Sequence, residues 1–195
     1  SFGKEKDTIK WIDRIEENNV FYDIGANVGV FSIYAGLKNK LKVYSFEPEP
    51  NSFAELTKAI ELNNLDITPL LVGLGSTNKS GYFNIKNNQA GLSGHQISQK
   101  KNGKGNFILS VQSIDNLIKE KIILSPNYVK IDVDGNEMEI LRGMYDTLYG
   151  KELKSILVEI DDENNIKPIN DYLNNFGFKV NNEVDKNTQN HIYEK

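Results

Sequence analysis

Short apolar runs alternate with amphipathic stretches along the chain, and Asn, Asp, Gly or Pro marks most of the switches. Ile9, Trp11, Ile12 and Ile15 recur at helical spacing behind Asp7 and Thr8, which predicts a leading helix that stops at Asn18-Asn19. The apolar run from Val20 to Ile24 predicts a strand, and Lys42 to Phe46 predicts a second. Between Glu47 and Asn51 lies an acidic turn with two prolines. Beyond it Phe53, Leu56 and Ile60 share a helical face, with Ser52 and Glu55 at capping-box spacing and Asn63-Asn64 at the close. Strand, helix, strand, helix is the order of a parallel sheet.

Ile67 to Gly73 reads as a third strand, and Pro69, with no N–H to give a ladder, belongs at a sheet edge. Residues 75–85 read as a turn and an added strand. Residues 87–106 are rich in Gly, Asn and Lys without a period, which fits either a mobile surface loop or a lid facing a substrate. Phe107 to Ser113 predicts a strand and residues 113–118 a short helix. Tyr128 to Ile131 is a strand ended by Asp132, Gly135 allows a turn, and Leu141, Met144, Tyr145 and Leu148 follow at helical spacing. Ser155 to Ile160 is a further buried strand ending at Glu159, with a helix over Ile169 to Phe176, a strand over Phe178 to Val180 and half of a hairpin at residues 191–195. The pattern contains no internal repeat. It predicts one α/β domain with a leading helix (1–19), a ligand-binding core (20–145) and C-terminal strands and helix (146–195).

Composition narrows the classes. The 195 residues, 38% of them apolar, suit one globular core. Twenty-three basic residues against 27 acidic leave a net charge of −4, with no basic stripe to neutralise a phosphate backbone, so nucleic acid is not an expected partner. No cysteine is present, which removes disulfides and thiolate metal sites. The first twenty residues are charged and amphipathic, and no apolar run is long enough to span a bilayer. The expectation is a cytoplasmic protein with a small-molecule or carbohydrate partner, no membrane contact and an open oligomeric state.

The chemistry gathers at strand ends. Asp23, Glu47, Asp132 and Glu159 all stand at or next to one, and an open parallel sheet binds ligands beyond its carboxyl ends. Gly25 and Gly29 frame a loop with Ala26 and Asn27, which lets backbone approach a ligand and aims a helix N-terminus at it. Asn27 stands where a dinucleotide fingerprint wants its second glycine, and Asp23 would repel phosphate. A cationic amine and sulfonium suit Asp23, and ribose hydroxyls suit Glu47. A nucleoside with a cationic amino-acid tail meets both. Plainer uses exist for each: Asp23 as a cap of the loop, Glu47 as a solvated charge, Asp132 and Asp134 as caps of the following helix. Asp132, Asp134 and Glu159 are also oxygen ligands for a hard cation, but acidic strand ends occur without one, and no metal is expected.

Four stretches, DIGANVGVFS (23–32), SFEPEPNSF (45–53), LVGLGSTNKSGYF (71–83) and KIDVDGNEMEILRG (130–143), in that order and with these gaps, resemble the class I S-adenosylmethionine-dependent methyltransferases and, within them, the FkbM family. The resemblance implies a Rossmann-like seven-stranded, mostly parallel sheet with helices on both faces and an antiparallel last strand. It implies methyl transfer from S-adenosylmethionine, leaving S-adenosylhomocysteine, usually to a hydroxyl oxygen of a sugar or natural product. By the same resemblance Gly25, Ala26, Asn27 and Gly29 surround the methionine part, next to the amine that Asp23 suits by its charge, Glu47 takes the ribose with Pro48 beside it, and Val72 and Gly73 lie near the adenine. Asp132 faces the junction of cofactor and acceptor, where an alcohol must lose its proton, and is the candidate base. His95 is a second candidate, with an idle loop histidine as its plain alternative. One departure is Asp134, where the family more often has glutamate. An NAD-dependent oxidoreductase shares the strand-loop-helix and Glu47 but is poorly served by Asp23 and Asn27, and a cofactor-binding module without catalysis is the non-enzymatic reading. Methylation of a nucleic-acid amine is disfavoured because IDVDGN follows the strand at 128–131 in place of an NPPY-type motif.

Overall fold

The strands at 20–24, 42–46, 128–131 and 155–159 form where apolar residues occupy both parities of a short run, so that each is buried on its two faces. A computed structural model of the chain describes residues 2–84, 96–98, 107–181 and 189–195. In chain order the elements are α1 (Phe2–Asp13), β1 (Val20–Ile24), α2 (Val30–Asn39), β2 (Lys42–Phe46), α3 (Pro50–Asn63), β3 (Ile67–Leu70), β4 (Gly73–Leu74), β5 (Lys79–Asn84) and β6 (Gln96–Ser98). They continue with β7 (Phe107–Gln112), α4 (Ile114–Lys119), β8 (Tyr128–Ile131), α5 (Glu137–Arg142), α6 (Tyr145–Tyr149), β9 (Ser155–Glu159), α7 (Glu163–Asn174), β10 (Lys179–Val180) and β11 (Asn190–Glu194).

A seven-stranded sheet runs β10-β11-β9-β8-β1-β2-β3. Its central pairs are parallel, and β11, the last strand, runs antiparallel to β9 and β10. Pro69 sits on β3 at the edge, as its missing donor requires. Parity sorts the core into two layers. Tyr22, Ile24, Tyr44, Phe46, Val129 and Ile131 pack on the side of α5, α6 and α7, while Phe21, Val43 and Leu157 pack with Trp11 and Ile12 of α1 and Ala35 of α2. Helices therefore cover both faces, and the carboxyl ends of β1, β2 and β8 open side by side.

Several boundaries differ from the sequence reading. The run 67–73 is two strands: after Leu70, whose carbonyl accepts the Glu47 N–H at 3.1 Å, the chain leaves the sheet, and Gly73–Leu74 pairs with Val111–Gln112. That pairing begins a second, four-stranded sheet, β4-β7-β5-β6, which the added strand near 79–84 only hinted at. Gln96–Ser98, expected within the loop, pairs antiparallel with Tyr82–Asn84. Helix α3 starts at Pro50, whose ring suits the first helical position, and Glu49 caps it by accepting the Ser52 N–H at 2.6 Å, so Ser52 is not the cap. The helix expected through Tyr145 breaks into α5 and α6 at Gly143 and Met144. There a Cβ on Gly143 would lie 2.1 Å from the Gly75 carbonyl oxygen, so only glycine lets the two segments meet. Helix α7 begins at Glu163 behind an Asp162 cap, earlier than Ile169. The closing residues pair with β10 as the hairpin expected of them.

Candidate functional site

Two polar groups form at the strand ends, one behind the sheet and one in its mouth. Register places Asp23 beside Ser45 of β2 and Lys130 of β8, and all three side chains share the parity of Phe21, toward α2. Ser32 of α2 reaches down to donate to Asp23 Oδ2 at 2.6 Å, and Ser45 donates to Ser32 at 2.7 Å. Lys130 Nζ lies 3.3 Å from Asp23 Oδ1 and 3.0 Å from Asp132 Oδ2, 5.0 Å from the centre of the Phe31 ring. Lys130 is 2% exposed and Asp23 fully buried. Burial opposes the ammonium charge, but Asp23 and Asp132 together outweigh it and hold the lysine above its ordinary pKa. One ammonium is thus shared by two carboxylates, and Asp23 Oδ1 is held by the ion pair without a hydrogen bond of its own.

The mouth is built differently. A cavity of about 290 Å³ lies beyond β1, β2 and β8, and its lining is apolar on one part, with Phe46, Val72, Leu74, Phe83 and Ile140, and acidic on another, with Glu47, Asp132 and Asp134. Glu47 follows directly on β2, 6% exposed, and its two oxygens accept the N–H groups of Asn27 at 2.7 Å and Glu49 at 2.8 Å. Burial pushes its carboxyl up to about 7 even though both amide hydrogen bonds pull it down. Asn27, at φ 52° in the left-handed region, is among the residues that line the cavity, and its Oδ1 is buried with no hydrogen-bond partner. The second sheet closes the far side: Phe83 reaches in from β5, and Asn136 ties the turn after β8 to β4 by donating to the Leu74 carbonyl at 3.0 Å.

Of the residues singled out from sequence, Gly25, Asn27, Glu47, Pro48, Val72, Gly73 and Asp132 line one cavity. Asp23, Ala26 and Gly29 do not. Ala26 is buried under the loop, where its N–H and that of Gly25 donate to the Phe46 carbonyl. Gly29 precedes α2 at φ 90°, and a Cβ there would lie 2.4 Å from Leu56. Gly25 has the same kind of reason: φ is 76°, and a Cβ would lie 1.9 Å from the Asp132 carbonyl oxygen. Gly25 is thus required by a backbone contact, and Gly29 by its left-handed φ, before any ligand arrives. His95 lies outside the described residues. Among the described residues no three acidic or histidine side chains converge as a metal site, and no helix is long and apolar enough to cross a membrane. Lys130 was missed. The signal was available as a lysine inside an otherwise apolar run, YVKI, in a chain that also carries an aspartate inside the run at 20–24.

A family model described as the Methyltransferase FkbM domain matches residues 23–180. The chain belongs to that family. Among its relatives, the hexuronic acid methyltransferase AglP of Haloferax volcanii is 31% identical over 158 residues, which covers 80% of this chain and 62% of that protein. The chain therefore spans about three fifths of the relative's length. A solved FkbM methyltransferase from Methylobacillus flagellatus KT superposes with a TM-score of 0.66 at 14% identity, over 93% of this chain and 44% of that one. TrmK of M. capricolum, solved in complex with S-adenosylhomocysteine, gives 0.54 at 15% identity, over 95% and 66%. In this FkbM domain the matched span opens at Asp23 and includes every element of the cavity wall.

Proposed function

We propose that the chain binds S-adenosylmethionine and transfers its methyl group to a hydroxyl oxygen of a sugar or natural-product acceptor. Glu47 is the observation that carries the reading: a buried carboxylate, oriented by two backbone amides, in a cavity lined by both apolar and acidic side chains. The residues present fit the cofactor. Glu47 suits the ribose hydroxyls, Val72, Gly73, Phe46 and Phe83 suit a flat adenine, and Gly25, Asn27 and Asp132 suit the methionine part, where the unpartnered Asn27 Oδ1 lacks a donor. An NAD pyrophosphate finds no basic side chain in the described lining.

When bound, the cofactor supplies a methyl carbon that is already electrophilic. The protein's task is to hold the acceptor hydroxyl in line and remove its proton. Asp132 has the position for that, since Lys130 Nζ fixes its Oδ2 at 3.0 Å from behind while the side chain keeps 36% exposure toward the cavity. A sugar acceptor draws support from the hexuronic acid named for AglP, and the cofactor from the S-adenosylhomocysteine held by TrmK on the same fold.

Calorimetry with S-adenosylhomocysteine and with NAD tests the cofactor, with binding of the first and not the second expected. Screening hydroxylated sugars and metabolites with methyl-labelled cofactor, followed by mass spectrometry, locates the accepting atom. On the acceptor so found, Asp132→Asn lowers turnover by about 100-fold or more, the scale of a lost general base, and His95→Ala by less. Label on nitrogen, or full turnover in Asp132→Asn with loss in His95→Ala, reverses the assignment.

A further inference from the structure

We propose that Asp23 is a positioning residue for the proton transfer: it keeps the buried Lys130 ammonium shared, so that Asp132 stays a strong enough base to take the acceptor's hydroxyl proton. The inference rests on the methyl-transfer reading above and adds to it the residue that tunes the base. Asp23 is itself out of a ligand's reach, fully buried and outside the described cavity lining, with its Oδ2 taken by Ser32. Lys130 Nζ stands 3.3 Å from Asp23 Oδ1 and 3.0 Å from Asp132 Oδ2, and it is 2% exposed while the Asp132 side chain keeps 36%. The row is sealed at one end and open to the cavity at the other, with one cation for two carboxylates.

Charge decides what the sharing does. An ammonium beside a carboxylate favours the ionised form and makes it a weaker base, the more so where water is excluded. Were Asp23 neutral, Lys130 would answer Asp132 alone. With Asp23 ionised the ammonium is divided, and Asp132 is the carboxylate in excess. In the transfer the acceptor's O–H proton goes to Asp132, its oxygen bonds the methyl carbon, and the electron pair of the carbon–sulfur bond leaves on sulfur. Asp132 is then neutral, and Lys130 and Asp23 remain as a matched pair. The geometry provides for that state: Lys130 now donates to Asp132, and Asp23 Oδ1, which accepts no hydrogen bond, is open to the ammonium that Asp132 releases. The other titratable groups that neighbouring elements bring to Asp132 are Asp134 and Glu137 after it, Glu47 past β2, and Glu159, which follows Val158 where that residue pairs with Ile131. All are acidic, and α2 brings Ser32 and the Phe31 ring, both uncharged.

Titration of the ligand-free chain, read by carbon NMR of protein labelled at its aspartate carboxyls, tests the row without turnover. Asp132 is assigned from the signal lost in Asp132→Asn, and Asp23 from that lost in the double variant Asp23→Asn with Lys130→Met. In wild type the Asp23 carbon shifts at the same midpoint as Asp132, because the ammonium turns to it as Asp132 takes its proton. In Asp23→Asn the Asp132 midpoint falls by about one pH unit or more, the size of one close opposite charge no longer shared. Adding Lys130→Met carries it back to the wild-type midpoint or above. Should Asp23→Asn fold poorly, the wild-type signals and the double variant, which lacks both halves of the buried pair, decide by themselves. On the acceptor once found, Asp23→Asn lowers kcat by about 3- to 10-fold and moves the acid limb of the pH profile down, with the dissociation constant of S-adenosylhomocysteine within about 2-fold of wild type. An Asp23 carbon that does not follow Asp132, an Asp132 midpoint unmoved or raised in Asp23→Asn, or one below wild type in the double variant overturns the inference. Loss of S-adenosylhomocysteine binding in Asp23→Asn with the titration unchanged also overturns it and assigns Asp23 to the cofactor. A wild-type chain that binds no S-adenosylhomocysteine overturns the methyl-transfer reading instead, whatever the titration shows.

Discussion

Asp23 and Glu47 both interrupt an apolar run near the carboxyl end of neighbouring parallel strands, yet they do opposite work. Asp23 is the fourth of five residues in β1, so its side chain is committed to the face of α2 and meets Ser32 and Lys130. Glu47 stands one residue past β2, where the ladder has ended, and backbone amides of two loops turn it into the mouth. The first carboxylate is answered by a cation within the fold, although its Oδ1 has only that ion pair and no hydrogen bond. The second is held only by dipoles, so burial drives its pKa up to about 7 and leaves it ready for a donor. A buried charge in a strand is therefore not by itself a ligand contact. What decides is whether the register supplies its partner.

The comparison breaks most visibly if the internal cation is removed. Lys130→Met leaves Asp23 buried without its counter-charge and lowers folding stability by about 3–5 kcal/mol in urea denaturation. Adding Asp23→Asn to it restores most of that loss, because the pair goes together. The same double variant in a hydrophobic setting with no recovery means that the row is not a charge pair.

Glu47 gives the next effect, and it is a pH effect of defined sign. Its folded-state pKa of about 7 lies above the 4.5 of an ordinary glutamate, so the protonated form is the one that favours folding. The contribution is full below pH 4.5 and is lost as pH rises through 7, by about 3 kcal/mol for a shift of that size. Denaturation of wild type and Glu47→Gln across pH 4.5 to 8 reads it as a difference between slopes, and parallel curves would place Glu47 in contact with water. Ribose hydroxyls donating to the carboxylate act the other way, so bound S-adenosylhomocysteine flattens the wild-type curve.

A smaller contrast separates the two kinds of glycine. Gly25→Ala forces a Cβ to 1.9 Å from the Asp132 carbonyl oxygen at φ 76°, joining the ends of β1 and β8 too closely, and costs about 2–3 kcal/mol. Gly135→Ala has a φ of 85° but open space around the new atom, so only backbone strain of about 1 kcal/mol remains. Thermal melts of the two variants are expected in that order, and equal shifts would mean that the β1 and β8 ends separate easily.

Much of this was legible in the chain. The alternation of apolar runs and amphipathic stretches carried the order of elements through β1, α2, β2 and α3, because each local period of 2 or 3.6 is a property of neighbouring residues. Pro69 marked the edge strand by a missing hydrogen, and Asn27, Glu47 and Asp132 could be picked out because polar residues at the end of a buried run need a reason. Where the chain changed partners, the local pattern was silent: Val72 and Gly73 read as the continuation of β3, and only pairing with β7 carried them to the cavity wall. The ends of α5 and α6 likewise depended on a carbonyl from Gly75, far away in sequence. Sequence by itself determined which residues carry charge at strand ends and that those ends face one way. Only the tertiary structure decided that Lys130 stands beside Asp23, since a parallel register is set by crossovers and packing between segments some hundred residues apart, and no local period encodes which row of one strand will meet which row of the next.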